Sequence, residues 1–102
     1  MRDQTRKADE GKPRLFLVPA ELDIAVGRVM TFGAKKYGAR TWRGVEIERY
    51  QDALARHFAA YKADPDGVDE ESGLPHLWHL ATNAAFLCAL HGRLDREARH
   101  GA

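Results

Sequence analysis

Apolar residues recur at a helical period in three stretches of the chain, and nowhere at the period of two that marks a strand. In the first stretch Leu22, Val26, Val29, Gly33 and Tyr37 share one face, which predicts a helix from about Pro19 to Lys36 that stops near Gly38. In the second, "EIERYQDALARHFAAYKA", Ile47, Tyr50, Leu54, His57 and Tyr61 share a face before "DPDGVDEESG" breaks the pattern. The third starts near Pro75 and runs past Leu90 into the charged segment "HGRLDREARHGA". Before and between these helices, "GKPRLFLVP" is expected to be extended because Pro13 and Pro19 oppose helix, and "GARTWRGV" to be a loop pinned by Trp42. The expected fold is all-α: a small bundle of three main helices with an extended N-terminal segment, completed by oligomerisation. The expected division is a flexible N-terminal arm at 1–10, one helical domain at 11–92 and a charged tail at 93–102.

One part of the pattern is out of place. In "ESGLPHLWHLATNAAFL" a core helix would want leucine where His76, His79 and Asn83 stand. Steps of 100° put these three within about 60° of one another, as a polar stripe between two apolar flanks. A solvated face would carry Lys and Glu, so the stripe is expected to face something other than bulk water. His57 is a further imidazole on the apolar face of the second helix.

Composition narrows the function classes. At 102 residues the chain makes one domain with a modest core, which a second copy would help to cover. Sixteen basic against fifteen acidic residues leave a formal charge of +1, so the overall field gives no case for nucleic-acid or membrane binding. The single cysteine, Cys88, cannot form an internal disulfide, which fits a reducing cytoplasm, and it is expected in the core. No apolar run approaches the 18 or so residues of a membrane span, and the charged start "MRDQTRKADEGKPR" lacks the apolar segment of a signal peptide.

Three sets of side chains could carry chemistry. If the second and third helices are antiparallel neighbours, His57, His76 and His79 converge on one pocket, either as hydrogen-bonded core groups or as ligands to a metal. Glu48, Asp52 and the run Asp69 to Glu71 offer the oxygen ligands that Mg²⁺ prefers, although acidic residues before a helix also suit its positive end. Lys12, Arg14, Lys35, Lys36, Arg40 and Arg43 lie near Tyr37 and Trp42, and cations beside aromatic rings can hold a phosphate chain and stack a base.

Taken together, "GKPRLFLVP", "FGAKKYGARTW", "RH" and "DEESGLPHLWHLATNAAFL" resemble the dATP/dGTP diphosphohydrolase N-terminal domain family, found largely in phages and prophages. The likeness runs from Gly11 to about Leu90. It implies a small helical protein that binds purine deoxynucleotides and releases pyrophosphate to leave the monophosphate. Carried over by position, the implied site includes Lys12, Lys35, Lys36, Tyr37, Trp42, Arg56, His57, Glu71, His76, His79 and Asn83. The helical layout also looks like the MazG-like nucleotide pyrophosphohydrolases, whose magnesium site pairs ExxE with ExxD. This chain has "DALARH" and "HLWH" instead, and imidazole suits Zn²⁺ or Mn²⁺ better than Mg²⁺.

Two functions follow as expectations. In a pyrophosphohydrolase, Asp52 and Glu71 hold Mg²⁺ or Mn²⁺, with Zn²⁺ third, and His57 joins them in catalysis. The remaining residues of the implied site bind substrate. In the alternative, a non-catalytic phage protein sequesters a nucleotide-derived signalling molecule and needs no metal. Either protein would work as a homo-oligomer in the cytoplasm, the host's if phage-encoded, without nucleic-acid or membrane partners.

Overall fold

The computed structural model describes residues 10–101, with side chains described through residue 92. Residues 1–9 of the expected arm and the side chains of the tail lie outside the described residues. The described chain is a small all-α bundle with three α-helices, α1 (Ala20–Tyr37), α2 (Ile47–Ala63) and α3 (His76–Gly101), and no strand. The charged tail continues α3 as helical backbone to Gly101.

Each helix has local causes. Pro19 caps α1 from an extended conformation, Glu21 and Asp23 face its positive end, and Lys35 and Lys36 occupy its last turn. The helix stops because Gly38 turns to φ 100°, a region that a Cβ disfavours, and a Cβ there would also meet the Thr41 hydroxyl at 2.9 Å. Helix α2 opens at Glu46 and closes at Asp64, where "DPDG" cannot continue it.

One expectation about the connections needs correction. Leu15–Leu17 is a single 3₁₀ turn and not extended chain, closed by Leu17 N–H to Arg14 C=O at 3.0 Å and Val18 N–H to Leu15 C=O at 3.1 Å. Pro13 and Pro19 bracket this turn without supplying either donor, so they do not forbid it. The loop between α1 and α2 likewise contains a 3₁₀ turn, Thr41–Gly44.

Helix α3 is the central element, and α1 and α2 both pack on it. Tyr50 meets Phe86 and His57 meets His79. Seven residues forward on α2 (57 − 50) thus match seven back on α3 (86 − 79), so the two run antiparallel. Ile47, Tyr50, Leu54, His57 and Tyr61 are all half-buried on that seam, the face their spacing predicts.

The first helix keeps the middle of its predicted face, with Val26 and Gly33 half-buried, and loses its ends. It buries Ala25 and Val29, while Leu22 and Tyr37 stay 42% and 65% exposed. Among the described residues α3 is the helix that packs on it, and the small Ala25 side chain suits a close approach of the two backbones. Among apolar side chains Ala25, Val29 and Leu90 are buried, and the turn residue Phe16 is 97% exposed. Cys88 is exposed and not in the core. Helix α3 is apolar around most of its girth, but α1 and α2 cover one side of it, leaving Leu77, Ala85 and Cys88 outward.

Candidate functional site

The polar stripe of α3 faces α2 and the loop that joins them. His57 Nδ1 lies 2.9 Å from His76 Nδ1, and the His57 and His79 rings stack with centroids 4.6 Å apart and planes 12° apart. All three rings are half-buried, so they face protein more than water, as the stripe requires. Asn83, one turn beyond His79, is buried and donates its side-chain amide to the His79 carbonyl at 2.8 Å.

The loop adds Ser72, which the pattern did not reveal, and brings in Asp69 from the acidic run that precedes α3. It is held as a tight turn. Asp69 N–H donates to Leu74 C=O at 2.8 Å, Gly73 N–H to Asp69 C=O at 2.8 Å, and His76 N–H to Gly67 C=O at 3.1 Å. Gly73 sits at φ 72°, which glycine takes at least cost. Within this frame Ser72 N–H donates to Asp69 Oδ2 at 2.9 Å, and the Ser72 hydroxyl, which accepts from Leu74 N–H, lies 2.7 Å from His79 Nε2. Asp69 Oδ2 is 4.0 Å from that nitrogen, so the serine is the closer partner of His79. The signal was present as an Asp, a Ser and a Gly at turn offsets before a proline.

The electrostatics favour neutral rings beside an ionised carboxylate. Burial pushes the His57 imidazole below its ordinary value, and the neighbouring His79, His76 and Arg56 add to this against the pull of Asp69. Burial lowers His79 too, and outweighs the opposing charge of Asp69. For Asp69 burial acts upward, but the Ser72 hydrogen bonds and the nearby histidines together leave its carboxyl below the usual range. A neutral imidazole has a lone pair that can take a proton or bind a metal. Among the described residues His57, Asp69 and His76 can hold a metal ion, with one ligand atom from each lying within 4.8 Å of the others.

The other predicted residues fall around this group. Lys36 forms an ion pair with Glu71, two residues beyond Asp69, and its ammonium lies 5.0 Å from the centre of the Tyr37 ring. That pair draws the basic end of α1 to the turn that carries Asp69 and Ser72. Lys35 is exposed beside it, Asp52 and Arg56 are exposed on α2, and Lys12 is exposed ahead of the first turn. Neither Asp52 nor Glu71 belongs to the group of three. Trp42 stacks on Phe86 at 4.7 Å with the Arg43 guanidinium over its ring at 4.5 Å, so it anchors the loop and a base could stack there only by displacing a neighbour.

An open cleft of about 500 Å³ lies elsewhere, lined by Arg43, Gly44, Val45, Glu46, Ile47, Glu48 and Leu90. Of the candidate groups it holds Arg43 and Glu48, whereas His57, His76, His79 and Asp69 gather at the opposite end of the α2–α3 seam. Position therefore favours the histidine group as the site.

The profile of the family described as dATP/dGTP diphosphohydrolase, N-terminal, matches residues 2–98. A protein of Salmonella phage PMBT28 named dATP/dGTP diphosphohydrolase is 38% identical over 81 residues, covering 79% of this chain and 28% of that protein. The chain thus spans little more than a quarter of the length of the curated relative it matches. No solved structure matches the chain.

Proposed function

The chain belongs to the dATP/dGTP diphosphohydrolase N-terminal family, and from that premise we propose that it binds a purine deoxynucleotide and hydrolyses it to the monophosphate and pyrophosphate. The observation that carries this reading is the Lys36–Glu71 pair, which sets the basic end of α1 against the turn that bears Asp69, Ser72 and the histidines. Phosphate recognition falls to Lys35 and Lys36, with Lys12 and Arg56 as further cations. Tyr37 and Trp42 are the aromatic candidates for the base, and His76, His79 and Asn83 can hydrogen-bond a base or a ribose.

The proposed acid–base work rests on His57. Held neutral by burial, its ring can accept the proton of an attacking water. The expected carboxylates Asp52 and Glu71 suit Mg²⁺ or Mn²⁺ by their oxygen chemistry, but Glu71 is engaged by Lys36. A nucleotide phosphate that took over Lys36 would release Glu71 toward a cation. A divalent cation held there would offset the charge of the phosphates.

The test is to incubate the purified chain with dATP or dGTP, with and without divalent cations, and to separate the products by chromatography. Monophosphate and pyrophosphate in equal amounts are expected. Intact nucleotide recovered only after denaturation would replace this reading with sequestration. The second reading has its own support: the metal-capable group has one carboxylate and two imidazoles, a poor match to the oxygen ligands of magnesium-dependent phosphate chemistry.

We also propose that the chain works as a homo-oligomer in the cytoplasm. Leu15, Phe16, Leu17 and Ile24 are each more than half exposed, apolar area that a second copy could cover. Sedimentation as a monomer at micromolar concentration would contradict this. No described helix is long and apolar enough to cross a membrane.

A further inference from the structure

We propose that His57, His76 and Asp69 form a binding site for one borderline divalent cation of the zinc type, filled independently of any nucleotide. The three groups come from three places along the chain: α2, the first residue of α3 and the turn between them. Two Nδ1 atoms already stand 2.9 Å apart. In a tetrahedral zinc site, with Zn–N of about 2.0–2.1 Å, two ligand nitrogens stand roughly 3.3 Å apart, so the rings need to open by only a few tenths of an ångström. A carboxylate oxygen of Asp69 lies within 4.8 Å of one ring nitrogen of each histidine.

The donor set selects the ion. Two of three donors are imidazole nitrogens, which suit zinc, cobalt or nickel and suit magnesium poorly. Three protein ligands leave one position for water or a phosphate oxygen, the pattern of catalytic and not of purely structural zinc sites. Without a cation, the two Nδ1 atoms can share only one proton between them, while the Asp69 carboxylate beside them can only accept.

The neighbours support the ligands. Ser72 N–H fixes one oxygen of Asp69, and its hydroxyl contacts His79, whose ring lies flat on that of His57. His79 and Ser72 are therefore positioning residues for two of the three ligands. Under this assignment the Nδ1 of His57 is a ligand atom, so in the cation-filled protein His57 would hold the cation and would not accept a proton in the proposed hydrolysis. The binding itself does not depend on that hydrolysis.

The experiment uses the metal-stripped full chain without nucleotide, titrated with Zn²⁺ and with Co²⁺. One equivalent per chain is expected, with the visible absorption of four-coordinate Co²⁺ and no displacement by millimolar Mg²⁺. In the unmutated protein, side-chain nitrogen NMR should show Zn²⁺ shifting Nδ1 of His57 and His76 while His91 and His100 stay unmoved. His57→Gln and Asp69→Asn should weaken binding by more than the roughly 10–100-fold expected for His79→Gln, which removes a supporting group. No binding of Co²⁺, shifts confined to other histidines, or unchanged affinity in His57→Gln would overturn the site. Because the NMR readout needs no variant, misfolding of a mutant cannot mask the answer. Failure of dATP hydrolysis would leave it intact.

Discussion

The two ends of the α2–α3 seam occupy equivalent places in the packing and differ in chemistry. At one end Trp42 stacks on Phe86, Tyr50 meets the same ring at a tilt, and Tyr50 O–H donates to the Trp42 carbonyl at 2.8 Å, so the tyrosine hydroxyl is satisfied within the cluster. Seven residues along, His57, His76 and His79 take the corresponding places, with ring nitrogens turned toward one another, toward a serine and toward a carboxylate. An aromatic cluster closed on itself stabilises. A set of imidazoles gathered around one carboxylate has donors and lone pairs to offer a ligand, and its cost is borne elsewhere in the fold. On the proposed function, stability belongs to one end and chemistry to the other.

The largest expected effect breaks the aromatic end. Phe86→Ala removes the ring shared by Trp42 and Tyr50 and should cost about 2–3 kcal/mol in urea unfolding, somewhat under the value for a fully buried phenylalanine. Zinc stoichiometry should persist wherever the variant remains folded. The converse change, His57→Leu, should reduce nucleotide turnover by about 100-fold or more, worth about 2.7 kcal/mol of barrier, while stability moves by less than about 1 kcal/mol because water reaches the half-exposed His76 ring. Equal losses of stability and activity in both variants would erase the distinction.

A smaller effect sharpens it. Gly73→Ala forces a side chain onto φ 72° and should cost about 1 kcal/mol. Since this turn holds Asp69 and Ser72, cation affinity should fall with it, as a binding isotherm would record. The smallest effect is the pH dependence of the metal-free protein. His57 and His79 have folded values lowered by burial, so their contribution is complete above the unfolded value of about 6.5 and is lost as pH falls through the folded values. The melting temperature should fall modestly between pH 7.5 and 5, and less in His57→Leu. Asp69, also lowered, acts with the same sign in a window below about pH 4.

Much of this was legible in the chain. The seam faces of α2 and α3 follow from large residues at helical spacing, and the convergence of three histidines follows from the antiparallel pairing of those helices. Helix α1 was harder, because its contact uses Ala25 beside Val29, and periodicity weighted by large residues points instead to Leu22 and Tyr37. Cys88 misleads for a related reason: an apolar position on a helix says that the side chain could be buried, and the number of neighbouring helices decides whether it is. Asp69 and Ser72 lie in a turn whose backbone hydrogen bonds, and not any periodicity, aim them at the histidines. Lys36 and Glu71 are 35 positions apart (71 − 36), and only the packing of α1 on α3 brings them together.

The most direct test of the central claim is to incubate unmutated protein and His57→Leu, both folded, with dATP and dGTP and a divalent cation, and to follow monophosphate and pyrophosphate over time. Equal release of the two products by the unmutated protein, and a loss of about 100-fold or more in the variant, is the predicted result. Nucleotide that the unmutated protein neither cleaves nor retains, or turnover undiminished in His57→Leu, would contradict the assignment of chemistry to the histidine end.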